Sequence, residues 1–381
     1  MLDVGAGLRT PQTNGVSGAP NAVYRRVVAT ERARNRCRER LELLARSNQD
    51  TMSVRREAVA ELKRVIGFDR WCVPLVDPDS LVSHTGVAET DHIPALDRLQ
   101  LLDARLGEPN TGAAIARRRD RVGLLSATTR GDLARSRRWR ETLESYGTGD
   151  ELRVVAADER GCWARFDLWR DAADPPFTVE DVQLLRDVSR SLGQSVRRAT
   201  VYPGDEVPAP PRETGVLLVD TDRQVRASTP AVREWFQMLN TARVHFKDGL
   251  PSVVWSTVGR LLAIEDGEDP QRAVQVRVRG LDGRWAVVEA GRLDGMPDVV
   301  ALTVHAAGPR QILDLFCRAC GLTRREHEIV ALVVDGLDTR AIAKRLSISH
   351  YTVQEHLQSA FGKLGVSSRL DLTTRIIAQG S

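Results

Sequence analysis

Apolar residues recur at helical spacing from about Asn21 to Lys63, amid arginines at 25, 26, 32, 34, 36, 38 and 40. This pattern predicts a basic helix with a solvated charged face. Leu41, Leu43 and Leu44 would give it a strip suited to a helical dimer contact. Ala58, Leu62, Val65 and Ile66 keep the same spacing up to Gly67, a helix stop signal. FDRWCVPLVD, 68–77, then reads as a strand halted by the turn formers Asp77 to Ser80. Glu151–Ala157 and Cys162–Arg170 flank Asp158-Glu159-Arg160-Gly161 and predict a hairpin. The long stretch between that first strand and the hairpin is mostly polar and helical in pattern. After it, Thr178–Arg198 places Val182, Leu184, Leu185, Val188, Leu192 and Val196 on one broad apolar helix face.

The segment VYPGDEVPAPPRE, 201–213, carries four prolines and reads as a stiff linker. Beyond it, GVLLVDTDRQVRAS predicts two short strands around Asp220–Asp222, and Pro230–Leu239 a helix. Val274, Val276 and Val278 alternate with polar residues, Asp282-Gly283 is a hairpin turn, and Trp285–Ala290 and Val299–His305 complete an antiparallel sheet. A short helix, Gln311–Ala319, leads into the final unit.

That unit has the most regular signals. Thr323 followed by Glu326 is a capping box, and the helix it starts buries Ile329, Val330, Leu332 and Val333 before Gly336. Asp338 or Thr339 caps a short second helix bearing Ile342, Ala343 and Leu346. Only Ser347 and Ile348 precede Ser349, the N-cap of a third helix that buries Val353, Leu357, Ala360 or Phe361, and Leu364. Its other face carries His350, Thr352, Gln354, Glu355, Gln358 and Lys363. Ser368 caps a fourth helix with Leu370, Leu372, Ile376 and Ile377. A tight turn into a helix with an amide, carboxylate and hydroxyl face is a helix-turn-helix pattern. Gln can pair bidentately with adenine and Glu can accept from cytosine.

Composition narrows the classes. With 381 residues, 42% hydrophobic and 28% charged, the chain suits two or three globular domains. Its first 20 residues, rich in Gly, Pro, Asn and Thr, read as a mobile tail. No apolar run is long enough to span a membrane and no signal peptide opens the chain, so a cytoplasmic location is expected. The net charge of +4 does not point to nucleic acid. Only four lysines (63, 247, 344, 363) are present, so arginine supplies 51 of the 55 basic residues, a bias that reads as coding background. From 321 to 381, eight basic residues face six acidic ones. The five scattered cysteines form no disulfide framework.

LTRRE (322–326), Gly336-Leu337, Ile342-Ala343, LSIS (346–349), the T-V-x-x-H-L of Thr352–Leu357, KLGV (363–366) and Ser368-Arg369 together resemble the LuxR-type DNA-binding domain over nearly its full length. The resemblance implies four helices, the third in the major groove, and a homodimer on double-stranded DNA through the fourth. It implies a DNA-binding set of Ser349, His350, Thr352, Val353, Gln354, Glu355, Gln358, Lys363 and Arg369. Gln354, Glu355 and Gln358 would face bases; Thr352, Lys363 and Arg369 would be phosphate partners. Many members have Lys where this chain has Gln354. His356 suits packing or a phosphate-side position better than a ligand role.

Upstream, Phe68-Asp69, ELRVV (151–155), GCW (161–163) and PPFT (175–178) are similar to a GAF-like sensor, and GVLLVDTDRQVRASTPA with DGRWAVVEAGRLDG to a PAS-like one. VLLVDTD also resembles the opening of a phosphoacceptor receiver, but no lysine lies between Lys247 and Lys344 to complete one. Cys317-x-x-Cys320 is half of a zinc site at most, so the pair is a weak metal or redox candidate. No catalytic constellation is present, although Cys72 or Cys162 could serve a redox reductase; protein-interaction scaffolding by the sensor-like blocks is a third reading.

The expected architecture is multidomain α+β. It comprises a tail (1–20), a basic helix (21–55), a GAF-like domain (56–200), a linker (201–210), a PAS-like domain (211–308), a connecting helix (309–318) and an all-α four-helix LuxR-type domain (319–381). The expected function is signal-controlled transcription regulation without enzyme activity or cofactor. Its partners would be DNA, a second copy, a small-molecule or protein signal, and RNA polymerase, with no membrane.

Overall fold

The computed structural model describes residues 29–90, 95–201, 213–220, 222–239, 250–267, 274–280 and 284–380, with side chains to 376. The expected tail, the linker beyond Val201 and the Asp282-Gly283 turn lie outside them.

The described residues begin with two helices, where the spacing predicts one. α1 (Glu31–Leu44) and α2 (Thr51–Ile66) are separated because Asp50 caps α2, accepting from the N–H groups of Met52 and Ser53 at 2.8 and 3.0 Å. Leu41 and Leu44 are buried in the chain's own core, leaving Leu43 exposed, so the proposed dimer strip is largely used up.

The first sheet holds β1 (Arg70–Val76), β2 (Ser83–Glu89), β3 (Val122–Leu124), β4 (Thr148–Asp158) and β5 (Gly161–Asp171) in the order β2-β1-β5-β4-β3. Between β2 and β4 run α3 (Leu96–Asp103), α4 (Gly112–Arg117), α5 (Leu125–Thr129) and α6 (Arg137–Glu141). β2 and β3 are strands where the polar stretch reads as helical. β2 is SHTGVAE, with two apolar side chains, and β3 has three residues, so neither shows a strand period of its own.

Alternation along β4 and β5 sorts this sheet's two faces. Leu152, Val154, Ala156, Ala164, Phe166 and Leu168 pack toward α2 and α7 (Val179–Thr200). α7 starts with a Thr178–Asp181 capping box and approaches β4 closely at Gly193, where a Cβ would sit 2.6 Å from the Ala157 backbone. The opposite face carries Glu151, Arg153, Arg165, Asp167 and Trp169, all buried. There Asp103 is gripped by Arg138, Arg153 and Arg165, while Glu151 takes Arg138 and the Trp169 indole N–H. Burial alone would raise the Asp103 pKa, but the three guanidiniums hold the carboxyl well below its usual range. The arginines are therefore structural parts: Arg34, Arg55, Arg138, Arg153, Arg165, Arg170, Arg260 and Arg277 are all buried.

The second sheet has β6 (Gly215–Asp220), β7 (Val225–Ser228), β8 (Gln275–Arg279), β9 (Trp285–Leu293) and β10 (Met296–Ala306), in the order β7-β6-β10-β9-β8. α8 (Pro230–Leu239) and α9 (Ser252–Glu265) come between its second and third strands and cover Leu217, Val219, Val276, Val288, Val300 and Leu302. The two sheets meet where α3 crosses α9: a Cβ on Gly259 would lie 3.3 Å from the Leu101 Cα. A second junction is ionic. Arg277 on β8 gives its backbone N–H and Nε to Asp77 Oδ2 at 3.0 and 2.9 Å, and Nη2 to Oδ1 at 3.0 Å. Asp79, on the same loop, binds Arg277 and also Arg318 of α10 (Pro309–Ala319), the latter at 2.6 Å.

Among the described residues, no helix is long and apolar enough to cross a membrane.

Candidate nucleic-acid interface

The last unit is all-helical: α11 (Arg324–Val334), α12 (Thr339–Leu346), α13 (His350–Leu364) and α14 (Arg369–Gly380). Each start is fixed by side-chain chemistry. Thr323 and Glu326 form the capping box of α11, Asp338 accepts from Ala341 N–H, and Ser349 accepts from Thr352 N–H at 3.0 Å. Left-handed residues set the exits, with Gly336 at φ 84° and Gly365 at φ 66°.

The turn from α12 to α13 is equally defined. Ser347 is left-handed at φ 53°, and the Ile348 N–H returns to the Ala343 carbonyl at 3.1 Å. Ile348 packs against the core, so α13 leaves α12 at an angle determined by three residues. Val353, Leu357, Ala360 and Leu364 are buried beneath it; at the position where periodicity allows Ala360 or Phe361, Ala360 goes inside and Phe361 packs at the edge.

The outer surface of α13 presents His350, Gln354, Glu355 and Gln358 to solvent, with Thr352 half-buried beside them. Ser349 is exposed, and its hydroxyl also meets that of Thr352 at 2.9 Å. Val353 does not belong to this surface. It is fully buried on the opposite side of α13, so its place in the expected contact set is corrected to a core position.

Two expected phosphate partners are already engaged. Lys363 Nζ binds both oxygens of Glu326 at 2.7 Å, and Arg369 donates to the Leu337 carbonyl and the Thr339 hydroxyl, each at 2.8 Å. Glu326 is buried and also accepts from Ser359 Oγ and Thr323 N–H, both at 2.7 Å. Burial pushes its pKa up, but the Lys363, Thr323 and Ser359 hydrogen bonds outweigh it and hold the carboxyl at about 2. Glu326 thus ties the start of α11 to α13, a role its capping-box spacing does not reveal. The i, i+4 pair Ser359 and Lys363 is the only sequence trace of it.

Other residues add to the surface. Tyr351, 66% exposed in the first turn of α13, was not in the expected set. Arg324, Arg340, Lys344 and Arg345 are exposed and make no ion pair among the described residues.

The cysteines offer little chemistry. Cys317 is buried at the end of α10, and burial raises both its thiol and that of Cys320, the latter to about 11. No group of three His, Cys, Asp or Glu suited to a metal occurs among the described residues. Burial pushes the Cys72 thiol to about 12, which suppresses the thiolate that a reductase would need.

Comparison with known proteins places this unit. Residues 321–376 match the model described as bacterial regulatory proteins, luxR family. The spore germination protein GerE of Bacillus subtilis is 39% identical over 59 residues, 16% of this chain and 80% of that protein. The transcriptional regulatory protein DesR of the same organism is 39% identical over 72 residues, 19% of this chain and 36% of DesR. An HTH-type transcriptional regulator of Mycobacterium bovis is 45% identical over 60 residues, 16% of this chain, and the chain spans only 7% of that relative's length.

Proposed function

The chain belongs to the luxR family of bacterial regulatory proteins, and from that premise we propose that α13 enters the major groove of double-stranded DNA with Gln354, Glu355 and Gln358 at base edges. The observation that carries this reading is the exposed amide and carboxylate face of α13, anchored from behind by Val353, Leu357 and Ala360. Ser349, His350 and Thr352, at the helix start, are placed for phosphate or sugar contacts. Arg324, Arg340, Lys344 and Arg345 supply backbone neutralisation, with Lys363 and Arg369 held back by their intramolecular partners.

With eight basic against six acidic residues from 321 to 381, one copy binds weakly and a homodimer supplies the rest. α14 is the dimer helix in this reading. Its Leu370 is 76% exposed, whereas Leu372 and Ile376 are buried and the helix packs on α10. The two sheet domains, GAF-like (56–200) and PAS-like (211–308), receive a small-molecule or protein signal. They act by changing dimer geometry, so that two copies of α13 come into or out of register with adjacent half-sites. RNA polymerase is the downstream partner.

Mapping the sites bound across a bacterial genome, with the natural chain and with Gln354→Ala, tests the proposal. A shared sequence motif that relaxes at one base pair in the variant supports it. Equal binding of both proteins to random and selected DNA would sink the assigned face.

A further inference from the structure

A cavity with an apolar floor lies between the two sheet domains, with a volume of about 270 Å³. From the first domain come Arg98, Arg105 and Arg137; from the second come Arg223, Trp255 and Leu262. The floor is lined by Trp255, Leu262 and neighbouring aliphatic side chains, and the rim by four guanidiniums and the Asp220 carboxylate. We propose that this cavity binds a small aromatic carboxylate, whose ring lies on the Trp255–Leu262 floor and whose anion is taken by the arginine rim.

The arginines are braced from behind. Glu141 takes both Arg98 and Arg137, at 2.9 and 3.0 Å, Asp266 takes Arg105 at 3.1 Å, and Asp97 takes Arg223. Asp220 is itself neutralised, accepting from Gln224 N–H at 2.8 Å and pairing with Arg226 at 2.6 Å. A guanidinium has five N–H donors. Arg137 spends only Nε on Glu141, and Arg223 only Nη1 on Asp97, so their remaining Nη donors have no partner among the described residues. Oriented donors beside an apolar floor bind a carboxylate bidentately and shelter its ring.

Size and setting limit the ligand. The cavity falls just under the ~300 Å³ at which drug-sized sites begin, which suits one ring rather than several. A second space at the seam, beside Asp103 and closed by Ser256 and Arg260 of α9, is about 40 Å³, room for little more than water. The dish around Arg119, Arg186 and Arg190 is lined by charged and polar side chains alone and offers no floor for a ring. Because the seam cavity draws on both domains, occupancy ties them together. This gives a ligand class to the signal-receiving domains of the proposed regulator and rests on that reading only for its purpose.

The test is calorimetric titration of the full chain, without DNA, with benzoate, salicylate, neutral benzamide and inorganic phosphate. Saturable binding of benzoate or salicylate, at least about tenfold tighter than benzamide and phosphate, is expected. Arg137→Gln with Arg223→Gln should weaken it by a further tenfold or so. Both side chains are partly exposed, and an unchanged thermal melt of the free variant verifies its fold. Should that variant not fold, the preference for benzoate over benzamide still decides the matter in the natural chain. No saturable binding, equal binding of benzamide, equal binding of phosphate, or a folded variant that binds unchanged would each overturn the proposal. None of these readouts uses DNA, so a failure of DNA recognition leaves the result standing.

Discussion

The two five-stranded sheets share one strand order, second-first-fifth-fourth-third, yet they are buried in different ways. In the first, both faces of the central strands are covered, one by apolar packing against α2 and α7 and the other by Asp103, Arg138, Arg153 and Arg165. In the second, α8 and α9 cover one face with aliphatic and tryptophan side chains, while Trp285 and Val287 turn to the core shared with α10. One topology therefore tolerates two core chemistries. The difference is where each can be damaged: the first through charge balance, the second through volume.

The sharpest way to break this comparison is Arg138→Ala. It removes the buried guanidinium shared by Glu151 and Asp103, and it should cost about 3–5 kcal/mol in urea unfolding, as expected when one partner of a buried pair is removed. All seven tryptophans (71, 139, 163, 169, 235, 255 and 285) lie in the two sheet domains, so their fluorescence reports that loss directly. Leu302→Ala in the second sheet should cost about 2–5 kcal/mol by opening a cavity, with a loss independent of pH. A pH-dependent loss there would show the two cores to be less distinct than their side chains imply.

Acid sharpens the contrast further. Asp103 has a depressed folded pKa, so its contribution is complete above the unfolded carboxylate value and disappears as the pH falls through the folded one. Glu326 behaves likewise in the C-terminal unit, losing its contribution between its ordinary 4.5 and about 2. Glu326→Gln should cost about 1.5–3 kcal/mol near neutral pH, the worth of hydrogen bonds to a charged group, and less below pH 4. Because 321–381 contain no tryptophan, far-ultraviolet circular dichroism is the measurement for it. Val225→Thr, on an exposed edge strand of the second sheet, should change stability by no more than about 0.5 kcal/mol.

How far the sequence could be read followed how local the determinants were. Thr323, Asp338, Ser349, Gly336 and Gly365 act within a few residues of themselves, and the four C-terminal helices could be traced from them. The β4–β5 hairpin had two clear strands and a turn, and it too was legible. β2 and β3 were not, since their identity comes from pairing with β1 and β4 rather than from their own pattern. Val353 entered the expected contact set with its exposed motif neighbours, although the helical periodicity already placed it on the buried face. Lys363 finds its partner 37 residues away and Arg369 finds its partners 30 and 32 away. The arginines suffered most: read one by one they looked like background, because Arg138, Arg153 and Arg165 acquire meaning only once β4, β5 and α3 are side by side.

The Arg277–Asp77 junction constrains how such a protein can be recombined. Three hydrogen bonds converge on one buried carboxylate, and both halves are out of water. A chimera that took either sheet from a relative lacking the matching residue would bury a guanidinium or a carboxylate without its main ion partner, a cost of several kcal/mol. The two sheets are thus exchangeable as a pair but not singly, and the pair can be inherited or engineered as one cassette placed ahead of a DNA-reading unit.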